Sequence, residues 1–270
     1  MPNDGPPPPT ADPVQAFYRH VLRTLREADA PFLVGGAFAL RHYTDIDRDT
    51  KDFDIFVRRE DYDTVMALLT ASGCSTELTY PHWLGKARCE CALVDVIFSS
   101  GNGISLVDDD WFRHAATGTV LDVPVKLCPP EEMIWSKAFI QERERFDGAD
   151  VMHILLGCAE SLDWQRLLKR FGSHWRVLFS YLCLFGFVYP SERARIPEWV
   201  SSALMERLEN EIHTAPPQVR LCQGTLLSRE QYLPDTEKWG FLDARLTRAS
   251  TMTEAQIEQW TEAIARKGEH

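Results

Sequence analysis

The chain is expected to fold as an α+β protein, with a mixed sheet and flanking helices first and a mainly helical half after it. Three observations predict this. Apolar runs of strand length alternate with helical patterns as far as residue 128. The composition changes at Pro129-Pro130. Beyond that point the apolar residues recur mostly at helical spacing. The 270 residues therefore divide into a Pro-rich tail at 1–13, a sheet-bearing domain at 14–128 and a mainly helical domain at 129–270.

Each element has its own signal. The tail holds four consecutive prolines, Pro6 to Pro9, and reads as disordered or polyproline chain. Residues 14–29 place Val14, Phe17, Tyr18, Val21, Leu22 and Leu25 on one helical stripe. Phe32-Leu33-Val34 is a short buried strand ended by Gly35-Gly36, and 37–43 is a helix that starts at those glycines. A strand at 51–58 follows, then a helix at 59–71 ending near Gly73. Strands are expected at 75–80, 92–99 and 120–127, with a loop from Tyr80 to Lys86. Helices follow at 131–145, 149–158, 164–171, 174–186 and 197–212. Residues 216–248 carry few periodic signals and read as an extended arm packed on the body, before a last amphipathic helix at 253–267.

Bulk properties narrow the function. A hydrophobic fraction of 44% with 26% charged residues is ordinary for a globular protein. The net charge of -11 argues against broad non-specific nucleic-acid binding, because an acidic chain repels a polyanion on average. No apolar run reaches the roughly 18–20 residues of a membrane span. The N-terminus lacks the basic and apolar regions of a secretory signal. Seven irregularly spaced cysteines then read as reduced thiols in a cytosol, so a cytoplasmic location is expected. Cys89-Glu90-Cys91 has the wrong spacing for a zinc knuckle.

The chemistry concentrates in the first half. In Asp52-Phe53-Asp54-Ile55-Phe56-Val57, period-two alternation sends both carboxylates to one face and leaves the other apolar. A solvated edge strand gives the same pattern. A third carboxylate, however, lies inside the most hydrophobic strand, Val94-Asp95-Val96-Ile97-Phe98, where an aspartate needs a partner. Placed side by side, Asp52, Asp54 and Asp95 form a set of hard oxygen donors suited to Mg²⁺ or Mn²⁺. Gly35-Gly36 at a helix start lets a phosphate approach backbone amides, although the pair by itself also reads as a tight turn. Two metals bridged by shared carboxylates would stabilise the attacking and leaving oxygens of an in-line attack at phosphorus, and Asp95 or its bound water is the expected proton acceptor.

Gly35-Gly36, then Asp52-Phe53-Asp54, then Asp95 resembles the nucleotidyltransferase superfamily with the DNA polymerase β palm fold. The segment Arg48-Asp49-Thr50-Lys51 before the acidic pair looks most like the bacterial stand-alone branch. That branch contains lincosamide-type antibiotic nucleotidyltransferases and toxins of abortive-infection pairs. The likeness covers residues 30–155 and implies a palm-like first domain, an NTP, a hydroxyl acceptor (small molecule, tRNA or protein) and Mg²⁺ or Mn²⁺. It implies catalytic and metal-binding roles for Asp52, Asp54 and Asp95, and nucleotide contacts for Gly35, Gly36, Arg48, Thr50 and Lys137. Ala37 stands where the family often has a serine, so no hydroxyl is offered there. A non-catalytic nucleotide-binding module, or a toxin held by a protein partner, is the alternative. The three aspartates together weigh against the non-catalytic form.

Several features have plainer readings beside these. Lys137 is either a triphosphate contact or a solvated helix lysine. Asp147 and Asp150 resemble a family Asp-x-x-Asp element but fit better as an N-cap and a first-turn acid, with Arg143 and Asp147 as an i,i+4 pair. Trp83 and Lys86 could meet a ring and a phosphate, while a Trp capping the core is the simpler account. Asp108-Asp109-Asp110 reads as an N-cap cluster.

Overall fold

The computed structural model describes residues 12–48, 50, 52–89, 92–247 and 250–265. The tail before Asp12, Asp49, Lys51, Glu90, Cys91, Arg248, Ala249 and the last five residues lie outside them. The expectations for the proline tail, for the start of the 51–58 strand and for Cys91 therefore fall outside the described residues. No described helix is long and apolar enough to cross a membrane.

Helix α1 (Pro13–Glu27) starts on Asp12, whose carboxylate accepts from the Val14 amide at 3.0 Å. It buries Tyr18, Val21, Leu22 and Leu25. Next come β1 (Leu33–Val34), α2 (Gly36–Thr44), β2 (Phe53–Phe56), α3 (Tyr62–Ala71), β3 (Ser75–Tyr80), β4 (Leu84–Cys89), β5 (Ala92–Ile97) and α4 (Asp109–Arg113). β6 (Ala116–Val120) and β7 (Val123–Leu127) complete a seven-stranded mixed sheet of order β3-β4-β5-β2-β1-β7-β6. β2 runs parallel to β5, and β1 parallel to β7; the other neighbours are antiparallel.

Two strand expectations change. The single strand at 120–127 is a hairpin, because Leu121 and Asp122 turn the chain with φ of 49° and 63°. Tight two-residue hairpin turns usually carry Asn or Gly at such angles, and a leucine gives no such signal. The loop from Tyr80 to Lys86 is shorter than expected, since Leu84 already enters β4. Trp83 stacks on Tyr80 at 5.9 Å and meets Trp260 edge-on at 5.2 Å, so it closes aromatic packing against the last helix, α11 (Glu254–Ala265).

After β7 the chain becomes helical: α5 (Pro130–Ala138), α6 (Gly148–Cys158), α7 (Trp164–Phe171), α8 (Trp175–Val188) and α9 (Glu198–Ile212). The helix expected at 131–145 stops at Ala138. The run Gln141-Glu142-Arg143-Glu144-Arg145 has no apolar stripe to bury, so continued helix would gain no packing. Instead the chain folds back on itself. The Glu142 amide donates to the Arg145 carbonyl at 2.9 Å, and the Asp147 amide to Ile140 at 3.2 Å. The segment read as an extended arm holds β8 (Leu221–Cys222) parallel to β9 (Leu242–Asp243), with α10 (Leu233–Glu237) between them. Elements of two to five residues are too short to show a period.

One hydrophobic cluster runs from Leu33, Phe53 and Val94 through Leu127 and Ile134 to Leu155, Phe185 and Leu204. α6 lies close to the end of α2: a Cβ on Gly157 would sit 2.5 Å from the Tyr43 carbonyl oxygen. A buried ion network also joins the two halves. Glu132, fully buried, accepts from Arg166 at 2.5 Å and from Arg170 at 3.0 Å. Arg170 also grips both oxygens of Asp108 at 2.6 and 2.8 Å. Asp108 caps α4 as its sequence suggests.

Candidate active site

β2 carries Phe53 and Ile55 into the core and turns Asp54 to the opposite face. In the parallel register, Asp54 lies directly opposite Asp95 of β5. Like charges in such cross-strand positions are destabilising. Asp52, just before β2, joins them: one carboxylate oxygen from each of Asp52, Asp54 and Asp95 lies within 4.8 Å of the others. Burial, followed by the Asp52 and Asp95 charges, pushes the Asp54 carboxyl up to about 7. Burial also raises Asp95, though the Lys86 ammonium on its Oδ1, at 2.7 Å, works the other way.

Gly35 and Gly36 bring the start of α2 against this face. The Gly35 amide donates to the Asp54 carbonyl at 3.0 Å. Gly36 has φ +51°, and a Cβ there would lie 1.9 Å from Asp54 Oδ2. Gly36→Ala should therefore displace Asp54 and strain the backbone, lowering stability by about 1–3 kcal/mol. Urea unfolding of the two proteins measures this, and an unchanged midpoint would contradict it.

Thr50 turns onto Asp52, its hydroxyl 2.8 Å from the backbone carbonyl and 2.9 Å from Oδ1. In this structure Thr50 positions an acid. Lys137 is not a solvated lysine. Its Nζ lies 3.0 Å from Asp147 Oδ2 and 2.8 Å from Asp150 Oδ2, with its side chain 15% exposed. Burial works against the ammonium, but these two carboxylates hold its pKa above the usual lysine value. Arg48 pairs with Asp150 from the other side and approaches His153 Nδ1 at 3.3 Å. Asp147 and Asp150 thus do more than open α6: Asp147 makes no side-chain cap bond there.

Sequence reasoning missed Arg145. Its guanidinium grips Asp147 with Nε at 2.9 Å and Nη2 at 3.0 Å. The expected pair was Arg143 with Asp147, which requires a helix; the folded-back loop brings Arg145 to Asp147 instead. Against burial, Arg145 and Lys137 hold the Asp147 carboxyl below the usual range, and both charges also act on Asp54. The site therefore has an acidic floor of Asp52, Asp54 and Asp95. Its basic wall is Lys137, Arg48 and Arg145, with the Arg48 and Arg145 side chains 39% and 65% exposed. Such a surface can hold a divalent cation on one side and a polyanion on the other.

No family model and no curated protein sequence matches the chain. Among solved structures it is similar to ANT(2")-Ia in complex with adenylyl-2"-tobramycin. That match has 16% identity and a TM-score of 0.43, over 58% of this chain and 93% of that one. It is also similar to the lincomycin-bound lincosamide antibiotic adenylyltransferase LnuA, with 15% identity, a TM-score of 0.38, and coverage of 53% and 96%. A third is an antigenic nucleotidyltransferase-like protein from Paracoccidioides brasiliensis, with 15% identity, a TM-score of 0.38, and coverage of 64% and 93%.

Proposed function

We propose that this chain is a palm-fold nucleotidyltransferase that moves NMP from an NTP to a hydroxyl acceptor, with Mg²⁺ or Mn²⁺, and releases pyrophosphate. The observation that carries this reading is the convergence of Asp52, Asp54 and Asp95 beside the glycine-opened start of α2. The donor set fits a hard divalent cation: three carboxylate oxygens meet, and burial, with the Asp52 and Asp95 charges behind it, already drives Asp54 toward protonation. Bound there, the ion would stabilise charge on the attacking and leaving oxygens.

The residues of the chain supply the rest. Gly36 leaves backbone amides accessible to phosphate, while Lys137, Arg48 and Arg145 neutralise the triphosphate. Asp95 accepts the proton of the acceptor hydroxyl. That oxygen bonds to the α-phosphorus as the bond to the bridging oxygen breaks, and pyrophosphate leaves with the electron pair. The helical half shapes the acceptor pocket. The net charge of -11 favours a small molecule or a protein over RNA as acceptor.

Calorimetry with each of the four NTPs and Mg²⁺ tests the reading. Binding should vanish on chelation and in Asp52→Asn/Asp54→Asn. It should also weaken as pH falls through about 7, where a proton competes for Asp54. In metal-free protein the same shift has the opposite consequence. Stability falls as pH rises from 3.8 to about 7, because the folded state keeps a proton that the unfolded chain gives up. A folded wild type that binds none of the four, with or without candidate acceptors, would leave a palm-like module without transfer.

A further inference from the structure

The arm between α9 and α11 reaches the basic wall through one side chain. Past α5 the chain turns back, and Gln141 and Phe146 face each other across an isolated antiparallel bridge. Inside that turn the Glu142 amide is bonded to the Arg145 carbonyl. The Glu142 carboxylate is bonded to the arm. Its Oε2 accepts from the Ser228 hydroxyl at 2.5 Å, and its Oε1 from the Arg229 amide at 3.0 Å. Ser228 is buried, and the Glu142 side chain is 19% exposed. Beside them the Gln141 amide donates to the Leu227 carbonyl at 3.1 Å. The arm is in turn tied to the sheet-bearing half. Asn102, in the turn that follows β5, donates from Nδ2 to the Leu226 carbonyl at 2.7 Å. The Arg229 guanidinium lies 4.4 Å over the Trp260 ring of α11.

We infer that Glu142 is a positioning residue for the phosphate side of the site: it clamps the turn that carries Arg145 onto the arm. This inference rests on the nucleotidyltransferase reading and specifies what holds its basic wall in place. The Asp147 grip fixes the guanidinium end of Arg145, and the Glu142 clamp fixes the backbone end. Both bonds from the arm end on an ionised carboxylate, which makes them stronger than neutral ones. Without them the Gln141–Leu227 bond alone, of these contacts, ties the turn to the arm. Arg145 is a long and largely exposed side chain, and ordering such a chain and its loop at the moment of binding weakens binding. A clamped turn has already lost that freedom. The sign of the effect is diagnostic. Removing a negative charge near a polyanion site would by itself tighten binding, so a loss of affinity reports position and not charge.

The probe is inorganic triphosphate with Mg²⁺, titrated into the full chain in a calorimeter, in a double-mutant cycle of Glu142→Ala with Arg145→Met. Glu142→Ala should weaken binding about threefold or more when Arg145 is present. In the Arg145→Met background the same change should cost less than about twofold, because the side chain it positions is gone. Glu142→Gln keeps an accepting oxygen and should recover much of the affinity. If Glu142→Ala folds poorly, Ser228→Ala removes the hydroxyl that the carboxylate grips and repeats the cycle. A purely structural glutamate would lower affinity by the same factor in both backgrounds, and that result would overturn the inference. So would Glu142→Ala or Arg145→Met binding as tightly as wild type. In those cases triphosphate binding by wild type still stands, and only the role of Glu142 falls. No triphosphate binding by a folded wild type would overturn the inference together with the phosphate site on which it rests.

Discussion

Asp95→Asn should abolish transfer while leaving NTP binding within a few-fold of wild type. The substitution is nearly isosteric and sits on a strand paired on both sides, so the backbone has little freedom to respond. An amide accepts no proton at neutral pH, and loss of a general base costs about 10²–10⁴-fold in rate. On the proposed reading, Asp52, Asp54 and the basic wall carry most of the binding, and all of them remain. Transfer to a screened acceptor gives the rate, and calorimetry with the NTP gives the affinity. Equal loss of both would place Asp95 among the binding groups and take away its role toward the acceptor.

Lys137→Met should unfold more easily and bind triphosphate more weakly. The lysine is the shared partner of Asp147 and Asp150, whose side chains are 10% and 12% exposed. Arg145 keeps its two-point grip on Asp147 and Arg48 its pair with Asp150, but the ammonium between the two acids is lost. Removing one partner of a buried ion pair costs about 3–5 kcal/mol. Urea unfolding measures that term. Binding of inorganic triphosphate with Mg²⁺ isolates the phosphate contact from any contact to the base. Lys137→Arg keeps the charge and should recover much of the stability. Lower stability with unchanged triphosphate affinity would reduce Lys137 to a structural brace.

The acids of this site were readable because their signal is local. Alternation in Asp52-Phe53-Asp54 and burial in Val94-Asp95-Val96 need no knowledge of the fold. Their partners were harder. Lys86 was visible as a lysine but read as part of a loop, because β4 starts earlier than Tyr80-Pro81-His82-Trp83 suggests. Arg145 was hidden by a helix that ends at Ala138. Glu131 and Glu132 look like solvated first-turn acids of α5, yet they are 3% and 0% exposed because Arg166 and Arg170 arrive from α7.

The sequence by itself determined the α+β class, most helices, the buried strands and the face on which Asp54 leaves β2. These follow from periods of 3.6 and 2, which are properties of neighbouring residues. Only the tertiary structure decided which charges meet. Strand order and register set Asp54 beside Asp95 and Lys86 on Asp95; the left-handed turn at Leu121-Asp122 made a hairpin from one apolar run. The folded-back loop delivered Arg145 and Asp147 to Lys137. Pairings of this kind join residues distant along the chain, and they form because burial leaves each charge no water to replace its partner.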